Sequence, residues 1–125
     1  MHLTIRSDGS YVWWGHFHDS GFPSYNVSIA WGVKDSQGQV YGFSDKGHTA
    51  GSIQAGSSNH DWSFTGTNGA IADRWAFIAA GNTWTARAHS GMDLGGIVKE
   101  VKDALGAVTD VVGAIKSVVA VVGAF

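Results

Sequence analysis

The chain contains no cysteine and a single proline, Pro23, in 125 residues. Without thiols there is no disulfide framework and no thiolate metal site, and cysteine usage fixes no redox compartment. With so little proline, turns fall to the 18 glycines and to Asp, Asn and Ser. Charge is scarce as well: 14% of residues are Asp, Glu, Lys or Arg, against about 25% in ordinary soluble domains. The net charge of −2 supplies no basic surface, so nucleic acid is not an expected partner. The opening MHLTIRSDGS lacks the charged and apolar blocks of a signal peptide. Localisation therefore stays open between the cytoplasm and export by a signal-independent route.

Motifs for catalysis and cofactor binding are missing too. Gly95-Gly96 opens a helical pattern but lacks the Lys and Ser/Thr of a phosphate-binding loop. No serine sits in a nucleophile elbow, and the adjacent His60-Asp61 would point to opposite faces of a strand. Neither an enzyme nor a cofactor is expected. His16 and His18 share a strand face and could begin a metal site, but the spacing supplies no third ligand.

What the chain does have is strand signal. Ser7-Asp8-Gly9-Ser10 reads as a two-residue type I′ hairpin turn. That turn pairs Ile5 with Val12 and Leu3 with Trp14, and it places Tyr11 and Trp13 on the opposite face as candidate surface aromatics. Tyr25 to Val33 alternates cleanly, with Tyr25, Val27, Ile29, Trp31 and Val33 inward. Asp35-Ser36-Gln37-Gly38 turns it into a strand from Val40 to Ser44, and Trp62 to Thr65 forms another. Ile71 to Ala80 fits a strand or a helix; Gly81-Asn82 favours a hairpin to Thr83–His89 through a type II′ turn. Short strands with turns about 8 to 12 residues apart predict a mainly β fold. The expected form is an antiparallel β-sandwich or small barrel over residues 1–89. Six tryptophans, at positions 13, 14, 31, 62, 75 and 84, would fill most of its core.

Residues 90–125 read differently. Leu94, Val98, Val101, Leu105, Val108, Val112, Ile115, Val119 and Val122 follow a heptad spacing, which predicts one long amphipathic to apolar helix over about residues 91–124. Ser90 and Asp93 have the spacing of a capping box. Between Leu94 and Phe125 lie nine valines and five glycines, so propensity alone does not make this helix and burial must. Gly106 and Gly113 would let a second helix approach closely.

Three functions fit these features. The first is a membrane-active protein, pore-forming or toxin-like, whose C-terminal helix assembles and inserts into lipid. The second is a structural homo-oligomer or filament held by the helical seam. The third is a lectin-like β-sandwich that binds a sugar or other small molecule. His16, His18 and His89 are candidates for a pH switch, because histidine titrates near neutrality and His89 adjoins the joint to the helix.

Overall fold

A computed structural model describes residues 1–18, 25–49, 59–107 and 114–125. Among the described residues seven strands and three helices follow one another as β1 (His2–Ile5), β2 (Ser10–His18), β3 (Tyr25–Lys34), β4 (Gln39–Thr49), β5 (Asn59–Thr67), α1 (Gly69–Asp73), α2 (Trp75–Ala80), β6 (Thr83–Ser90), α3 (Leu94–Gly106) and β7 (Ser117–Val122). The strands form a three-stranded antiparallel sheet, β1-β2-β5, and a four-stranded mixed sheet, β6-β3-β4-β7, in which β7 runs parallel to β4.

Two hydrophobic cores stack these layers. Trp13, Ile29, Tyr41, Phe43 and Trp62 fill the space between the sheets, and Ile71 of α1 and Ile78 of α2 join the same cluster. On the far side of the larger sheet, Ile97, Val98, Val101 and Leu105 of α3 pack on Ala30 and Val40. The face of β3 opposite Val27, Ile29 and Val33 is therefore covered: Ser28, Ala30 and Lys34 are buried as well.

Both tight hairpins use a three-residue loop with a bulge, where a two-residue turn was expected at Asp8-Gly9. In the first, Gly9 N–H donates to Arg6 O and Arg6 N–H to Ser10 O, each at 2.9 Å. In the second, Gly38 N–H donates to Asp35 O at 3.1 Å and Asp35 N–H to Gln39 O at 2.9 Å. Gly9 and Gly38 close these turns at φ of 87° and 84°, where a side chain is strained. The extra loop residue moves the first register by one, so Ile5 faces Tyr11 and Leu3 faces Trp13. One step of register exchanges the faces of a strand. Trp13, a candidate surface aromatic, is 0% exposed, Tyr11 is half-buried against the core, and Trp14 is the exposed one.

Three further expectations are corrected. Residues 71–80 form helices, with Ile71 and Ile78 turned inward; Asn68 caps α1 by accepting from Ala70 N–H at 2.9 Å. Gly81 is extended at φ 165°, which no type II′ turn allows, and β6 pairs with β3. The helix is capped by Asp93, whose side chain accepts from Gly96 N–H at 2.7 Å, while Ser90 ends β6. Most consequentially, the long C-terminal helix is divided. α3 stops at Gly106, and the valine-rich Ser117–Val122 is a strand. Lys99, Glu100, Lys102 and Asp103 favour or tolerate a helix; Val118-Val119-Ala120-Val121-Val122 is β-branched at all but one position.

Candidate functional site

The edges of the two sheets part beside β1 and β6, and a cleft of about 270 Å³ opens between them. Leu3 and Ile5 of β1 form one wall, and Trp31, Val33 and Trp84 form the other. Trp75, Ile78 and Ala79 of α2 close the end, with Asn82 just past the helix. Asn82 owes its position to α2, since its side-chain amide donates to Ile78 O at 3.1 Å.

The aromatic wall follows from register. Val33 pairs with Trp84 and Trp31 with Ala86, which makes Trp31 and Trp84 diagonal neighbours on one face. Their rings stack with centroids 4.8 Å apart and planes at 24°. Trp84 remains 60% exposed. The Trp31 indole N–H is buried and has no hydrogen-bond partner among the described residues. Among the described residues no charged side chain lines the cleft.

The residues singled out in the sequence lie elsewhere. Val98, Val101 and Leu105 of the seam do share a buried face, with Leu94 and Ile115 packed at its margin. Val119 and Val122 belong to the other core, between the sheets. Val108, Val112 and Gly113 lie outside the described residues. Among the described residues nothing packs within 4 Å of where a Cβ on Gly106 would stand.

His16 and His18 project from the exposed face of the smaller sheet, each bound to a residue directly across on β5. His16 Nδ1 contacts Asp61, and His18 Nδ1 lies 2.5 Å from Asn59 Oδ1. Among the described residues no three His, Asp or Glu side chains gather as a metal site. His89 Nε2 lies 3.1 Å from Glu100 Oε1, which also accepts from Arg87 Nε at 3.0 Å. This trio joins β6 to α3, and His89 and Arg87 together hold the Glu100 carboxyl below its ordinary pKa. His60, not singled out for a switch, bridges the two sheets: its Nε2 lies 2.9 Å from Asp45 Oδ2, and its ring stacks on Trp62.

Asp35, read as a turn former, is that and more. Its fully buried carboxylate accepts from Gln37 and Gln39 N–H at 2.8 and 3.0 Å and from the Tyr41 hydroxyl at 2.9 Å. Arg74, at the junction of α1 and α2, reaches the same carboxylate at 3.4 Å. Tyr41 is pushed far above the usual phenol range, first by burial and then by its bond to Asp35. The cleft's end wall is anchored through this carboxylate.

Sequence reasoning did not assemble the cleft. The available signal was the tryptophan count together with the alternation that placed Trp31 on an inward face. No protein family, curated protein or solved structure matches this chain.

Proposed function

We propose that this chain is a non-catalytic binding module, a β-sandwich that holds one uncharged flat ring in the cleft between its sheets. The observation that carries the reading is Trp84. An indole left 60% exposed, stacked on a second indole at the mouth of a cavity, is a ready platform. Covering roughly 100 Å² of apolar surface there would contribute about 2.5 kcal/mol. The cleft, about 270 Å³, is smaller than typical drug-sized pockets and suits a single ring. This narrows the lectin-like expectation. A sugar would press several hydroxyls against Leu3, Ile5 and Ile78, where no partner meets them.

Calorimetric titration with indole, and separately with methyl glucoside, tests this. Indole should bind with a dissociation constant of about 0.1–1 mM, and Trp84→Ala should abolish binding without lowering Tm. A glucoside that binds while indole does not would return the lectin-like reading to the front.

One observation favours a second reading, self-assembly. β7 is an edge strand of sequence SVVAVV, with Val118 exposed and no charge or proline to guard it. The other edges carry Arg87 and His89 on β6, Asp61 on β5, or only the four residues of β1. A second copy could add antiparallel along β7, which moves assembly from a helical seam to a strand edge. Sedimentation equilibrium should show association that Val118→Lys abolishes; a monomer at millimolar concentration would end this reading. Membrane insertion by a C-terminal helix is not carried forward, since its apolar stretch is shared between α3 and β7. Among the described residues no helix is long and apolar enough to cross a membrane.

A further inference from the structure

Of the asparagines at positions 26, 59, 68 and 82, only Asn68 is followed by glycine. A glycine nitrogen carries no neighbouring side chain to hinder its attack on the asparagine amide before it. Asn68 is half-buried and Gly69 is exposed. Among the described residues nothing stands within 4 Å of where a Cβ on Gly69 would lie, so water reaches the pair. The fold holds the reaction back. Asn68 Oδ1 accepts from Ala70 N–H at 2.9 Å, the Asn68 carbonyl accepts from Ile71 N–H at 3.2 Å, and Asn68 N–H donates to Gly9 O at 2.9 Å. The ψ of Asn68 is 122°. Ring closure needs Gly69 N eclipsed with the Asn68 Cβ, which at an L-residue is a ψ of about −120°. The Cα–C′ bond must therefore turn by roughly a third of a circle, which breaks the carbonyl bond to Ile71 and the cap on Ala70.

We infer that Asn68 is a covalent modification site, a spontaneous deamidation gated by the opening of α1. When the first turn opens, Gly69 N gives its proton to hydroxide and bonds to Asn68 Cγ. The Cγ–Nδ2 bond breaks, and Nδ2 takes a proton from water and leaves as ammonia. A second water then opens the succinimide at either carbonyl. Attack at Cγ leaves aspartate, which caps a helix as well as asparagine does. Attack at the backbone carbonyl leaves isoaspartate, whose main chain runs through the former side chain and is longer by a methylene. That product cannot restore the cap on Ala70 and the bond to Ile71 together. The effect passes down the chain, because α1 runs directly into α2, the end wall of the cleft.

Peptide mapping by mass spectrometry tests this on the intact protein, incubated at mildly alkaline pH either folded or in urea. Asn68 should convert in both, and at least roughly tenfold more slowly in the folded chain. Ile71 is the buried residue that fastens α1 to the core. Ile71→Ala should speed conversion in the folded protein and leave the rate in urea unchanged. Gly69→Ala should suppress conversion in both. Should Ile71→Ala fail to fold, hydrogen exchange of the Ile71 amide in the native protein serves: its protection should match the slowing of deamidation, since one opening frees both. No conversion in urea overturns the site. Equal rates in the folded and unfolded chain, an Ile71→Ala rate no faster than the native one, or amide protection unrelated to the slowing overturns the gate. A Gly69→Ala chain that converts as fast as the native one overturns the route through ring closure.

Discussion

The side chain of Lys34 is buried beneath α3, and its ammonium donates to the carbonyl of Leu105 at 2.7 Å. Leu105 lies in the last turn of the helix, where carbonyls lack intrahelical donors and the helix dipole favours a cation. Burial pushes the Lys34 pKa down, so the charge is held at a cost that this carbonyl partly offsets. Lys34→Met should lower stability by about 1–3 kcal/mol, because a buried carbonyl loses its donor. Urea unfolding measures it, and a variant more stable than the native chain would show that the cation contributes nothing.

Tyr41 and Asp35 predict the alkaline limit of the fold. The folded state holds the Tyr41 proton more tightly than the unfolded chain, whose phenol titrates near 10.0. The stabilisation is complete below that pH and is lost as pH rises toward the elevated folded value. Tm should therefore fall above pH 10. Tyr41→Phe should flatten that fall while costing about 1–3 kcal/mol at neutral pH, since Asp35 loses a donor. An alkaline limb unchanged by the substitution would assign it to other groups.

Glu100 sets a weaker acid limit. Its carboxyl is lowered from 4.5 in the folded state by His89 and then Arg87. The stabilisation is present above the unfolded value and disappears as pH drops through the folded one. Thermal unfolding followed from pH 5 to pH 2.5 should show a loss that Glu100→Gln reduces. His89→Gln should reduce it too. A steeper acid loss in either variant would contradict the pairing.

Phe125 lies over Gly42 of β4, and a Cβ on Gly42 would overlap its ring. Gly42→Ala should displace the ring and cost about 1–3 kcal/mol. In a Phe125→Ala background the same substitution should cost far less, because the two residues share one space. Additive costs in the double variant would place the strain elsewhere.

Much of this architecture was legible from residues 1–67, because alternation such as Val27-Ile29-Trp31-Val33 survives any error in turn type. The side chains of β1 and β2 were not legible. Whether Asp8-Gly9 makes a two- or a three-residue loop is decided by one backbone conformation at Gly9, and that decision exchanged Trp13 with Trp14. The α3 face was readable because Val98, Val101 and Leu105 do bury together. The heptad ran on past it by coincidence: its spacings of 3 and 4 kept finding valines in a stretch so rich in them. Propensity carried the correction in plain sight, in the crowding of valines over residues 118–122. The cleft was hidden for a different reason. It arises where β1 and β6 stand apart, and spacing along the chain does not report which edges lie side by side.

β7 joins β4 at a separation of 78 residues, the distance in sequence between Ser117 and Gln39, whose side chains meet at 2.5 Å. β6 and β7 also lie at opposite edges of their sheet, so the chain must cross β3 and β4 with α3 before β7 can land. Such a long closure is rewarded only after its target exists. The β3–β4 hairpin, with its tight turn at Gly38, is local and can form first. β7 is then a late arrival, added to a sheet whose other members are in place. Substitutions in β7 such as Val122→Ala should accordingly speed unfolding and leave the refolding rate almost unchanged, whereas Val40→Ala, in the hairpin, should slow refolding.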